Sequence, residues 1–176
     1  MSGVKWWPEQ GPSSDINNGV AVAGWIHSAL VTGNASAWLW WWYQPMPASS
    51  NGTNDNEGIW LQDGTDTKRH YTIGNFSKFV RPGYTRVDVT GNSNTDLLIS
   101  AYTGSSTVVV VAINKGTTDA TVPITIAGGT AAPTSCTPNV TSSADDLKAG
   151  TTPVPVSGGA FSASLPKATV TTFVCK

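Results

Sequence analysis

All eight tryptophans of this chain, Trp6, Trp7, Trp25, Trp38, Trp40, Trp41, Trp42 and Trp60, fall in its first 60 residues. Beyond Tyr84 there is none, and Val, Thr, Ser, Gly and Ala take over. Large rings need wide cover, whereas short Val- and Thr-rich runs between turns suit stacked β-layers. The change of palette near Arg81-Pro82-Gly83 therefore predicts two parts, residues 1–83 and 84–176, built on different plans.

In the first part, residues 15–32 read as a helix, capped by Ser14 or Asp15. Val20, Ala23, Ile26 and Ala29 or Leu30 share one face, and Gly33-Asn34 ends it. Residues 36–43 form an unbroken apolar and aromatic run, the pattern of a strand covered on both faces. Along such a strand Trp40 and Trp42 point one way, Trp41 and Tyr43 the other. Residues 44–58 are polar and rich in Pro, Asn, Ser and Gly, a long loop of the kind that carries sites. A second helix is predicted over 67–80, where Tyr71, Gly74, Asn75 and Lys78 interleave with Ile73, Phe76, Phe79 and Val80; Arg81-Pro82 stops it. With Val4-Lys5-Trp6-Trp7 as a short leading strand, the order is strand, helix, strand, helix, the repeat of an α/β barrel. Two such units cannot close eight strands, and 176 residues fall short of the roughly 250 of a whole barrel.

The second part holds about eight short strand candidates. They are 85–89, 97–102, 107–113, 121–126, a stretch near 132–136, 154–156, 160–165 and 169–174. Alternation within 160–165 and 169–174 gives each one buried face, and Tyr84, Tyr102, Phe161 and Phe173 read as packing residues. The fold class expected is α+β: a C-terminal all-β sandwich preceded by two βα units of an incomplete (β/α)8 barrel.

Charge narrows the partners. Ten Lys and Arg against eleven Asp and Glu leave a formal net charge of −1, and no basic run exceeds Lys68-Arg69. Neither nucleic acid nor an anionic membrane is expected as a partner. No apolar run approaches the roughly 20 residues of a membrane span, and no signal-peptide stretch follows Lys5. His27 and His70 stand far apart without Cys or carboxylate partners at ligand spacing, so no metal site is expected. Neither a phosphate-cradling glycine loop nor a Gly-x-Ser-x-Gly elbow occurs.

Several stretches carry a family resemblance. They are Trp6-x-x-Glu9, the capped helix, the strand 37–42, the segment from Lys68-Arg69-His70-Tyr71 through Phe76-Ser77-Lys78-Phe79-Val80-Arg81-Pro82-Gly83-Tyr84 to Asp88, and Val111-Ala112-Ile113-Asn114-Lys115-Gly116. With Pro155–Phe161 and the Val170-Thr171-Thr172-Phe173-Val174 ending, they resemble the C-terminal part of glycoside hydrolase family 30 over nearly the whole chain. The resemblance implies a secreted, retaining β-glycosidase or endo-glycanase, extracellular, acting on a β-linked polysaccharide without metal or organic cofactor. It implies that Glu9, in its Trp-x-x-Glu context, stands at the nucleophile position. The family's acid/base Glu belongs to the fourth barrel strand, to which nothing in this chain corresponds. Retaining hydrolysis needs two carboxyls about 5–5.5 Å apart, and Glu9 and Glu57 are the only glutamates. Glu57, on the rim loop, is the one internal candidate for the second. Trp41, Trp42, Tyr43 and Gln44, nearest the strand's C-terminal end, are the expected sugar contacts; Trp38 and Trp40 read as core.

Cys136 and Cys175 admit one pairing, and two buried thiols are the alternative; the family's secreted habit favours the bond. Two further functions stand beside hydrolysis: a non-catalytic carbohydrate-binding or interaction module, and an altered hydrolase rebuilt by self-association. A homo-oligomer is expected, because two βα units leave strand edges and apolar surface uncovered.

Overall fold

The structure, a computed structural model, describes residues 15–41, 43, 58–60, 64–104, 106–128 and 133–176. Helix α1 spans Ile16–His27 and continues as a π-helical turn over Ser28–Thr32. Asp15 caps it by accepting from the Asn17 amide at 2.9 Å. Helix α2 spans Lys68–Ser77, with the Thr67 hydroxyl accepting from the His70 amide. Among the described residues nine strands follow: β1 Thr85–Val87, β2 Leu97–Gly104, β3 Thr107–Asn114, β4 Ala120–Thr125, β5 Ser135–Thr141, β6 Lys148–Ala149, β7 Val154–Pro155, β8 Ala160–Leu165 and β9 Thr169–Cys175.

Seven strands form one antiparallel sheet in the order β1-β2-β3-β9-β5-β6, with β7 also on β5; β4 and β8 pair as a second sheet. Side-chain alternation assigns the two faces of the large sheet to two cores. Leu97, Ile99, Ala101, Val110, Ala112 and Phe173 meet Phe161, Ala163 and Leu165 of β8. Phe161 and Phe173 cross this interface with ring centroids 5.2 Å apart. On the other face Tyr102, Val109, Val111, Ile113 and Val170 pack with Ile16, Val20, Ala23 and Ile26 of α1 and Phe76 of α2. Among the described residues the fold is thus α+β, with two helices, a large sheet and a small sheet in three layers.

Strand β8 alternates as its sequence indicates, with Ser162 and Ser164 exposed between buried neighbours. In β9 the expected single buried face is replaced by burial on both. The reason is position: β9 lies between β3 and β5 at the centre of the sheet, with helices above and β8 below. The stretch near 132–136 is the entry to β5, which runs on to Thr141, and Lys148–Ala149 adds a short strand with no apolar pattern of its own. Cys136 and Cys175 are register partners across β5 and β9, and they form a disulfide.

The helices cross closely. A Cβ on Gly19 of α1 would meet the Thr72 methyl at 2.9 Å and the Lys68 carbonyl oxygen at 3.0 Å. Helix α1 covers the apolar strands, whereas α2 covers β5 and β9, whose facing residues are polar. Lys68, Arg69, Thr72 and Asn75 of α2 are accordingly buried, Asn75 included although it is a polar residue interleaved with the apolar ones. Its Nδ2 donates to the Asn139 carbonyl and to Thr172 Oγ1, both at 3.0 Å, and its Oδ1 accepts from Thr141 Oγ1 at 2.6 Å. Thr172 Oγ1 in turn donates to the Asn75 carbonyl at 2.7 Å. A buried polar group is tolerable when its bonds are made, and this one joins helix to both strands.

One expected element does not form. Among the described residues of 36–43, none is in a strand, and Leu39 is 91% exposed. A strand covered on both faces needs paired neighbours for its backbone groups, and no described strand runs beside this segment. Its rings pack instead on each other and on α1: Trp40 stacks on Trp25 at 6.2 Å and lies 5.8 Å from Trp38. Trp38 and Trp40 are partly buried against the helical core, in keeping with their core reading. The expected strand 4–7 lies outside the described residues.

Candidate functional site

The start of α2 gathers a second aromatic group. The Trp60 amide donates to the Tyr43 carbonyl at 3.0 Å, and Trp60 forms an antiparallel bridge with Asp66. Thr67 closes the turn by donating its amide and its hydroxyl to the Ile59 carbonyl, at 3.1 and 2.7 Å. These bonds bring Tyr43, Trp60, Asp66, His70 and Tyr71 together. The Tyr43 and Trp60 rings are 5.0 Å apart and tilted, His70 stacks on Trp60 at 6.2 Å, and Tyr71 meets His70 edge-on at 5.1 Å.

Polar bonds orient the rings. Trp60 Nε1–H donates to His70 Nδ1 at 3.0 Å, so Nδ1 carries the lone pair and the ring proton sits on Nε2. Tyr71 donates its hydroxyl to Asp66 Oδ2 at 2.9 Å. Burial first, then the Asp66 hydrogen bond and the charges of Asp66 and Asp146, push the Tyr71 phenol up to about 12. Asp66 Oδ1 lies 3.5 Å from His70 Nδ1, which has no proton to offer it, and it has no hydrogen-bond partner among the described residues. The group therefore gathers rings, of which Tyr43 is exposed, over a carboxylate whose Oδ1 is itself buried, and flat rings of this kind suit the C–H face of a sugar.

Of the residues singled out in the sequence, Trp41 is 65% exposed and Tyr43 is 57% exposed, with Tyr43 in the ring group. Glu9, Trp42, Gln44 and Glu57 lie outside the described residues. Trp60, Asp66, His70 and Tyr71 went unremarked as site residues. Their signal is the spacing of Asp66 ahead of the Thr67 cap, which sets it beside residue 70, four positions on.

A cleft of about 580 Å³ opens at the other end of α2, lined among others by Trp38, Ile73, Arg81, Tyr84, Arg86 and Tyr102. Tyr102 is 4% exposed, with its hydroxyl beside the Ser100 side chain. Burial raises its pKa above the ordinary phenol value. Among the described residues no three His, Cys, Asp or Glu side chains gather to hold a metal ion, and no helix is long and apolar enough to cross a membrane.

No family model matches the sequence. Glucuronoxylanase XynC of Bacillus subtilis (strain 168) is 40% identical over 173 residues, which is 93% of this chain and 37% of that protein. Among solved structures, a GH30 endoxylanase from Clostridium papyrosolvens C71 superposes with a TM-score of 0.79 at 36% identity, over 93% of this chain and 39% of its own. The GH30 subfamily 8 xylanase Xyn30A from Clostridium acetobutylicum gives a TM-score of 0.82 at 32% identity, over 95% of this chain and 40% of its own. The chain thus spans about two fifths of the length of the proteins it matches. Sequence and fold together relate it, over nearly all its residues, to the C-terminal part of glycoside hydrolase family 30.

Proposed function

We propose that this chain supplies the nucleophile side of a retaining glycanase acting on a β-linked polysaccharide of the xylan type. What supports the reading is the exposed Tyr43 ring packed on a half-buried Trp60, with the exposed Trp41 nearby in sequence, in a chain 40% identical to a glucuronoxylanase. In this reading residues 1–83 derive from a barrel and 84–176 are its companion sandwich. The Glu9 carboxylate attacks the anomeric carbon, the glycosidic oxygen leaves with a proton from a second carboxyl, and water then releases the sugar from Glu9. The second carboxyl belongs to a barrel strand with no counterpart here, Glu57 being the internal alternative. Extracellular action fits the Cys136–Cys175 disulfide, since such bonds persist in oxidising compartments.

Binding without turnover is the second reading, favoured by a chain with two glutamates in all. The purified chain, assayed on xylan and on an aryl β-xyloside beside Glu9→Gln, separates the two. Hydrolysis abolished by Glu9→Gln supports the glycanase. Xylan binding with no turnover, unchanged in Glu9→Gln, supports the module and refutes the nucleophile assignment.

A further inference from the structure

The turn Arg81-Pro82-Gly83-Tyr84 leads from α2 into β1, at the end of the helix opposite the ring group; α2 has ten residues and is roughly 15 Å long. The Tyr84 amide donates to the Arg81 carbonyl at 3.0 Å, and Gly83 sits at φ +89°, a left-handed position that suits glycine. With Pro82 ahead of that glycine, the chain doubles back and sets residues 81 and 84 side by side. Two residues on, Arg86 falls on the same side of the extended chain as Tyr84, and its register partner is Tyr102, which packs against the helices. Arg81, Tyr84, Arg86 and Tyr102 consequently line one cleft, the opening of about 580 Å³ that Leu30 and Trp38 bound on the helical side. Small-ligand sites commonly fall at roughly 300–1,000 Å³.

The lining is charged one way. Arg81 and Arg86 are its charged residues, and no Asp or Glu among the described residues joins them. Arg81 donates from Nη1 to the Ser77 carbonyl at 2.7 Å, which answers the negative end of α2. Arg86 donates from Nη2 to Asn34 Oδ1 at 3.3 Å, and its Nη1 lies 3.6 Å from Asp88 Oδ1, on a side chain 92% exposed and outside the cleft. These contacts hold both guanidinium groups in place, and each fork carries more N–H donors than they use. The Tyr84 ring rests on Gly104, where a Cβ would meet Tyr84 Cε1 at 2.8 Å, so a residue without a side chain is what admits the ring. Guanidinium donors match a carboxylate in geometry and charge, and an aromatic ring matches the C–H face of a sugar. We propose that this cleft is a second carbohydrate site, separate from the Tyr43 ring group, which takes the carboxylate of a uronic acid residue on Arg81 and Arg86 with the sugar beside Tyr84. The sugar part of this ligand rests on the polysaccharide reading above; the carboxylate part rests on the two arginines.

The test is an NMR titration of the full chain with methyl β-glucuronide, methyl β-xyloside and acetate, repeated on Arg86→Gln, Arg81→Gln and Tyr43→Ala. The glucuronide binds tightest of the three, and its Kd rises at least about tenfold in Arg86→Gln, the loss of a charge-assisted hydrogen bond. Added salt weakens it, and Tyr43→Ala leaves it unchanged. Arg81→Gln, on the other side of the turn, weakens the glucuronide in the same direction, so a folding defect confined to one variant is told apart from loss of the site. A glucuronide that binds no tighter than the xyloside, or as well in both arginine variants as in the wild type, overturns the proposal. So does a glucuronide weakened by Tyr43→Ala alone, and so does acetate bound equally tightly, which leaves a bare anion site. Failure of the xylan reading shows separately, as an unbranched xylo-oligosaccharide that does not bind the wild type.

Discussion

Asn75 is the residue whose loss the fold should feel most. Its side chain is fully buried and makes three hydrogen bonds, to the Asn139 carbonyl, Thr172 Oγ1 and Thr141 Oγ1. In Asn75→Ala the Thr141 hydroxyl, itself fully buried, loses its acceptor, at a cost of about 1–3 kcal/mol. The two bonds from Nδ2 are each worth about 1 kcal/mol net. Thr172 keeps its bond to the residue 75 backbone carbonyl, so its hydroxyl is not orphaned and adds nothing further. The expected loss is about 3–5 kcal/mol, a large share of the roughly 5–15 kcal/mol by which domains are stable. In a chain of this size that lowers the melting temperature by on the order of 10 °C. Urea unfolding of the wild type, Asn75→Ala, Thr141→Val and the double variant measures it. Because Thr141→Val removes the orphan that Asn75→Ala creates, the double variant loses less than the sum of the singles, by about 1–2 kcal/mol. A loss below about 1 kcal/mol for Asn75→Ala, or strict additivity, would refute the account of α2 as a helix held to β5 and β9 by polar bonds.

Three other outcomes follow from the same geometry. The Cys136–Cys175 bond closes a 39-residue separation, for which loop entropy gives about 4 kcal/mol; the Cys136→Ala/Cys175→Ala chain should unfold at clearly lower urea, and an unchanged midpoint would show the bond to be idle. His27 is buried with Nδ1 unpartnered among the described residues, and burial lowers its pKa below 6.5. The unfolded chain then binds more protons below pH 6.5, so stability falls as the pH drops from 6.5 toward the folded value; His27→Gln should flatten that limb of a urea-midpoint profile, and an identical slope counts against it. Leu39, Trp41 and Tyr43 present exposed apolar surface, and self-association at micromolar concentration is expected in sedimentation; a strictly monomeric chain would contradict it.

Much of the local architecture is legible without coordinates because short-range chemistry sets it. A cap at Ser14 or Asp15, a helix starting near Thr67 and the alternation of Ala160–Leu165 follow from residue types and periods alone; the structure picks Asp15 and Lys68. The pairing of the two cysteines was narrowed to one choice by their number, and their meeting by the registry of β5 with β9. The family relationship, too, was visible in the run around Arg81-Pro82-Gly83-Tyr84, where specific residues rather than composition carry the signal.

What needed the tertiary structure is everything that depends on neighbours. An apolar run such as Trp38–Trp41 has strand propensity, but a strand forms only where adjacent chains satisfy its backbone, so here the rings fold onto Trp25 and one another. A polar residue on a helix reads as solvent-facing until the surface opposite proves polar as well, as it does where Asn75 is buried against Asn139, Thr141 and Thr172. The same holds for the site. The sequence by itself determined the chain's likeness to the C-terminal part of glycoside hydrolase family 30, its helices and its supply of aromatic and acidic groups. Only the packing of the turn at Thr67 brought Trp60, Asp66 and His70 together, because hydrogen bonds to Ile59 and Tyr43, invisible to any periodicity, decide where those side chains stand.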